Sequence, residues 1–236
     1  MTTLPKALAF DVFGTVVDWR SSIIREGQLL QAATGIEADW PAFADAWRAG
    51  YVPAMDRTRA AGAAWANIDV LHRQILDELV PRFGLQALSE AQLVQLNLVW
   101  HRLLPWPDTV GGMNRLRARY PLASLSNGNV ALLVNMARHA GLPWDAVLSG
   151  ELIQRYKPDP EVYLMAARLL GVAPGELMMV AAHTNDLQAA RACGLRTAYV
   201  HRATEFGPAR IKPIVAADAF DVVAADFYEL ARALGA

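Results

Sequence analysis

Lys6-Ala-Leu-Ala-Phe-Asp-Val-Phe-Gly-Thr15 decides the reading of this chain. Its first half is an apolar run of the length of one buried strand. Asp11 stops the run, and Gly14 supplies a turn. A carboxylate therefore stands just beyond a strand end. The next stretch changes character. From about Asp18 to Trp100 the pattern is helical, with no clear strand. Asp39-Trp-Pro41 opens a helix, with an acceptor at the cap and proline in the first turn. Phe43, Trp47, Tyr51 and Met55 recur every four residues and make one buried stripe. Pro53 is expected to kink that helix or end it early. Ser89-Glu-Ala-Gln92 reads as a capping box ahead of Leu93, Leu96 and Trp100.

After Pro107, short strands alternate with helices. Strands are expected near 122–125, 146–148, 177–182, 197–200 and 221–223. Helices are expected from Val130 to the stop at Gly141, from Asp159-Pro160 toward Gly171, over 185–192, and from about Asp226. This alternation predicts the α/β class, a Rossmann-like, mostly parallel sheet with helices on both faces. The helical block interrupts the pattern after one strand. The expected division is a core domain of 1–15 and 103–236 and an inserted helical cap domain of 16–102.

Composition narrows the function classes. Of 236 residues, 54% are hydrophobic and 19% charged, enough to bury a large core. A net charge of −1 gives no basic surface, so no nucleic-acid partner is expected. No apolar run approaches the roughly 18 residues of a membrane span, and the N-terminus does not read as a signal peptide. A cytoplasmic protein with no membrane partner is expected. The single cysteine, Cys193, forms no intramolecular disulfide and reads as a small buried packing residue. His72, His101, His139 and His201 show no metal-ligand spacing.

In an open parallel sheet, ligands bind beyond the carboxyl ends of the strands. The unusual polar residues fall at those ends. Asp11 and Thr15 follow the first strand, and Ser126 and Asn127 follow the next core strand. Lys157 lies in Tyr156-Lys-Pro-Asp-Pro160. His183, Asn185 and Asp186 follow the strand ending at Ala182. Each alone has a structural explanation, as turn former, loop lysine or helix cap. Together they bring a carboxylate, a hydroxyl, an ammonium and a second carboxylate to one edge.

Asp11-Val-Phe-Gly-Thr15, Leu125-Ser-Asn-Gly128, Tyr156-Lys-Pro-Asp159 and Val180-Ala-Ala-His-Thr-Asn-Asp186 resemble, in order, the four motifs of the haloacid dehalogenase superfamily. The resemblance spans essentially the whole chain. It implies Asp11 as nucleophile, Ser126 as a substrate-anchoring hydroxyl, Lys157 as charge stabiliser and Asp186 as the fourth motif's acid. Most members of that superfamily are magnesium-dependent phosphotransferases, with a second acid two residues after the first. Here that position is Phe13, which cannot transfer a proton. Their fourth motif begins with Gly-Asp; here Ala181-Ala182 stands there. Magnesium wants hard oxygen ligands, and phosphoryl transfer leans on it. Displacing a halide needs neither missing acid, because a carboxylate attacks carbon directly and water cleaves the ester.

The first three motifs are similar to the L-2-haloacid dehalogenases of type II. That likeness implies inversion of short 2-halocarboxylates to 2-hydroxy acids, with no cofactor and no metal, in a homodimer. It also implies that Arg48 and Asn127 contact the leaving halide and that Tyr163 supports the site. Thr15 is expected to orient Asp11, and Asp186 to position or deprotonate water. Phe13 joins the substrate-binding set.

The fourth motif departs from the type II pattern, which reads Ser-Ser-Asn-x-aromatic-Asp. His183 and Asn185 replace residues beside the halide. As hydrogen-bond donors around a smaller cradle, they would favour fluoride. Two alternatives stay open, a magnesium-dependent small-molecule phosphatase and a non-catalytic small-carboxylate binding protein.

Overall fold

Ala7–Phe10 forms β1, buried on both faces, at the middle of a six-stranded sheet. The computed structural model describes residues 4–60 and 64–236. Residues 1–3 of the expected core segment and 61–63 of the expected cap lie outside them. The other sheet strands are β4 (Leu122–Ser126), β5 (Ala146–Ser149), β6 (Leu177–Ala181), β7 (Arg196–Val200) and β8 (Val222–Ala224). Their order is β5-β4-β1-β6-β7-β8, and every pair is parallel. The chain steps outward from β1 on one side, then returns to its other side with β6. The crevice at the carboxyl end of β1 is thus the point where the strand order reverses, the place such sheets bind ligands.

Alternation along β1 builds two cores. Leu8 and Phe10 face one cluster; Ala7 and Ala9 face the other. The second cluster is closed by α7 (Pro160–Leu169) and α8 (Thr184–Ala192), through Val162, Tyr163, Leu187 and Ala190. On the first face lie α5 (Thr109–Arg117), α6 (Val130–Ala140) and α9 (Phe227–Ala233). Gly141 ends α6 in the left-handed conformation expected of a helix stop.

Between β1 and β4 the chain makes α1 (Trp19–Thr34), α2 (Trp40–Ala60), α3 (Ile68–Arg82) and α4 (Glu90–Asn97). Phe43, Trp47, Tyr51 and Met55 are all buried on α2, as their spacing predicts. The capping box of Ser89 and Gln92 opens α4. The first core runs from Val12 and Phe13 into Trp19, Trp47 and Trp100 without a break, so the helical segment shares its interior with the sheet.

Three expectations need correction, and one short ribbon goes beyond them. Pro53 does not end α2, which continues to Ala60; the position is exposed, so solvent serves the carbonyl that loses its amide partner. A small antiparallel ribbon, β2 (Val17–Asp18) with β3 (Leu104–Pro105), joins the helical segment to the sheet. Asp159 does not cap α7 with its side chain, which instead receives the Arg59 guanidinium. Cys193 is half-buried, not fully buried. Among the described residues no helix is long and apolar enough to cross a membrane.

Candidate active site

The backbone of Asp11 still pairs with the sheet, its amide donating to Val180 O at 3.0 Å. Its carboxylate then points into the crevice. Gly14 turns the chain back at φ 82°, a conformation that costs glycine little. The turn returns Thr15 beneath the carboxylate. Thr15 Oγ1 donates to Asp11 Oδ2 at 2.6 Å and accepts from Ala182 N at 2.9 Å. One hydroxyl thus ties the β1 loop to the β6 loop.

Lys157 comes from the loop before α7. Its backbone is fixed by Asn127, whose Oδ1 accepts from Lys157 N at 2.6 Å. The ammonium lies between two carboxylates, 3.0 Å from Asp11 Oδ1 and 2.6 Å from Asp186 Oδ2. Asp186 Oδ1 accepts from the Tyr163 hydroxyl at 2.6 Å. Both oxygens of Asp186 are therefore engaged.

His183 bridges Asp11 to a carboxylate the motifs do not contain. Its Nδ1 stands 2.9 Å from Asp11 Oδ2, and its Nε2 stands 2.8 Å from Glu205 Oε1. Glu205 is fully buried on the loop after β7. Lys212 Nζ donates to Glu205 Oε2 at 2.9 Å and to Ala182 O at 2.8 Å. A Cβ on Gly14 would lie 2.2 Å from Glu205 Oε1, so only glycine lets the carboxylate come this close.

These contacts set the protonation states. Burial alone would raise the Asp11 pKa. The Lys157 and His183 charges and the donors of His183 and Thr15 outweigh it, and hold the carboxyl well below its usual range. Burial likewise disfavours charge on Lys157, and Asp11 and Asp186 more than offset it. His183 is pushed up to about 9, because its hydrogen bonds to Asp11 and Glu205 outweigh its burial. Glu205 is drawn down to about 2 against its burial by His183 and Lys212. The site at neutral pH is a set of ions, each with a partner.

The cavity above them is about 200 Å³. Its floor holds Asp11, Ser126, Asn127, Lys157, His183 and Asp186; its roof is Arg48, Tyr51, Val52, Met55 and Arg59 of α2. Phe13 packs edge-on against Tyr51 and Trp100, with only 4% of its surface exposed. The Arg48 guanidinium lies 4.7 Å from the Tyr51 ring centre and 5.8 Å from that of Trp19. Among the described residues it has no hydrogen bond or ion pair.

The structure thus gathers Asp11, Phe13, Arg48, Ser126, Asn127, Lys157, Tyr163, His183, Asn185 and Asp186 around one cavity, with Thr15 directly behind Asp11. Two placements differ from expectation. His183 has both nitrogens committed to carboxylates, so it is not a free donor for a halide. Asn185 is exposed at the cavity mouth. Sequence reasoning missed Glu205, Lys212, Tyr51, Met55 and Arg59. The signal for Glu205 was its place just beyond the carboxyl end of β7, the same edge that flagged the others.

Residues 5–194 match the haloacid dehalogenase-like hydrolases. The (S)-2-haloacid dehalogenase 1 of Pseudomonas sp. (strain CBS-3) is 30% identical over 200 residues, covering 84% of this chain and 85% of that one. The chain belongs to the haloacid dehalogenase family. A solved L-2-haloacid dehalogenase is 51% identical, with a TM-score of 0.93 over 98% of this chain and 99% of its own. A second, described as a defluorinating L-2-haloacid dehalogenase, is 42% identical, with a TM-score of 0.91 over 98% and 96%. Both share the whole architecture, helical segment included.

Proposed function

We propose that this chain hydrolyses short L-2-halocarboxylates to 2-hydroxy acids through an ester on Asp11, without a metal. The observation that carries the reading is the Lys157 ammonium between Asp11 and Asp186. It fills the space between two carboxylates that a divalent cation would need. Position 13 is a buried phenylalanine and positions 181 and 182 are alanines, so the acids that the phosphotransferase motifs carry there are missing. The named relatives support the same chemistry.

In the first step an Asp11 oxygen attacks the halogen-bearing carbon. The new carbon–oxygen bond forms as the carbon–halogen bond breaks, and the pair leaves with the halide. Ser126, whose hydroxyl accepts from Gly128 N, has its own proton free for the substrate carboxylate. Arg48, a cation with no ionic partner among the described residues, receives the halide at the roof. Asn127 acts mainly by holding the Lys157 backbone. In the second step water attacks the Asp11 carboxyl carbon. Asp186 is bound on both oxygens, so we assign the water's proton to His183, backed by Glu205. The second water hydrogen ends on the product hydroxyl. Residues 16–102 act as the cap domain on a core of 1–15 and 103–236.

Fluoride release belongs to the same reading, supported by the 42% identical defluorinating relative. The lone Cys193 fits a reducing cytoplasm, and a homodimer follows from the resemblance; sizing chromatography tests the latter. The decisive experiment is one turnover of L-2-chloropropionate with excess enzyme in oxygen-18 water. The heavy oxygen is expected in the Asp11 peptide, with the first product unlabelled. Label in that product and none in Asp11 would overturn the ester route.

A further inference from the structure

Three negative and three positive side chains close on one another behind the cavity. Asp11, Asp186 and Glu205 face Lys157, His183 and Lys212, at 2.6 to 3.0 Å. The set sums to zero. Arg48 adds one positive charge at the roof, which the carboxylate of a bound substrate cancels. Resting on the dehalogenase reading, this balance constrains when the acid of the reaction is released.

We propose that His183 sheds its proton as the halide leaves, so that acid appears with the halide and not with the hydroxy acid. Alkylation turns the Asp11 carboxylate into a neutral ester and creates a halide ion, so the total is unchanged while the halide stays beside Arg48. When the halide departs, the buried set carries one surplus positive charge. Lys157 remains paired with Asp186, and Lys212 with Glu205. His183 alone has lost a charged partner, the Asp11 oxygen 2.9 Å from its Nδ1. Esterified, that oxygen no longer carries charge to hold the imidazolium.

Loss of the proton does two things. It restores neutrality in a buried site, where an unbalanced charge is costly. It also leaves Nδ1 with a lone pair facing the ester, ready to take a proton from water. Hydrolysis then returns both charges at once: imidazolium forms on His183 and carboxylate on Asp11, with no net proton released. The groups facing His183 are Asp11 after β1 and Glu205 and Lys212 on the loop after β7. Lys157 before α7 and Asp186 on α8 act through Asp11, and Arg48 of α2 lies across the cavity. In the free enzyme His183 is pushed up to about 9, so it enters the cycle charged at neutral pH.

The test is a single turnover with excess enzyme in weak buffer, following an indicator dye, halide and hydroxy acid together. Near pH 7.5 one proton per halide is expected at the rate of halide release, ahead of product. Above about pH 9 the free histidine is already neutral, and the proton is expected with the product instead. Glu205→Gln keeps the shape of the side chain and removes one charge from beside His183. The pH at which the timing switches is then expected to fall by roughly one to three units. A proton that tracks the hydroxy acid at pH 7.5 would overturn the proposal. So would a switching pH unmoved in a folded Glu205→Gln enzyme. No halide release at any pH would instead sink the dehalogenase reading itself.

Discussion

The floor and the roof of the cavity are built on opposite terms. On the floor every charge has a partner within 3.0 Å, and the partners come from α8 and the loops after β1, after β6, before α7 and after β7. On the roof a single helix supplies aromatic and aliphatic side chains and two guanidiniums, Arg59 bound to the loop carrying Lys157 and Arg48 lying over rings. Preorganised charges stabilise a reaction because they do not need to reorient when it occurs. An unpartnered cation does the opposite task, because it gains most when an anion arrives. The floor is therefore set for bond-making, and the roof for choosing and holding the ligand. If so, floor variants lower turnover, while roof variants weaken binding.

The largest effect is expected at Lys157. Lys157→Met leaves Asp186 with no charged partner and Asp11 with His183 alone. Turnover should fall by about 10²- to 10³-fold, the scale of losing a main electrostatic stabiliser. Halide release by a variant shown folded by circular dichroism checks this. Near-normal turnover would break the comparison at its strongest point.

His183→Asn comes next and divides the two chemical steps. Alkylation should survive while hydrolysis slows by about 10²- to 10⁴-fold, the usual worth of a positioned acid or base. One equivalent of halide should appear, then almost none, and intact-mass spectrometry should show the ester. Steady halide release with no burst and no ester would return the water's proton to Asp186.

For the roof, Arg48→Ala should lower kcat/KM by about 10- to 100-fold, the worth of a charge-assisted hydrogen bond of about 1.5 to 3 kcal/mol. Most of the loss should lie in KM, with halide inhibition weakened in step. A fall confined to kcat would place Arg48 with the floor.

The smallest effect is on stability. His183 holds its proton more tightly folded than unfolded, up to about 9 against an ordinary value of about 6.5. Its contribution is complete below about pH 6.5 and is lost as pH rises through about 9. The melting temperatures of the parent and of His183→Asn, measured across that window, should converge at the alkaline end.

The same contrast explains what the sequence disclosed. Asp11, Lys157 and Asp186 sit at fixed distances from strand ends, and the apolar runs that define those strands are legible as periodicity. The fold and the floor could be read together for that reason. Glu205 also follows a strand end, but no motif singles it out. It is one acid in an irregular loop, and only the packing of that loop against Gly14 brings it to His183. The roof was half legible: the stripe of Phe43, Trp47, Tyr51 and Met55 showed which face of α2 is buried, yet not that Arg59 reaches the loop carrying Lys157. Two-residue strands such as β2 and β3 are too short to leave a pattern, and the reading of Pro53 gave a local preference more weight than the packed helix does.

The sheet order has a consequence for how the molecule is made. Asp11 meets Lys157 across 146 positions of sequence and His183 across 172. Contacts that distant form only after long loops have closed, so they come late in folding. A chain emerging from the ribosome carries its nucleophile first and acquires the lysine and histidine only much later. No contiguous fragment shorter than Asp11 to Lys212 holds the whole set. Recovery of activity on refolding is therefore a report on complete assembly of the sheet, and secondary structure is expected to return before it.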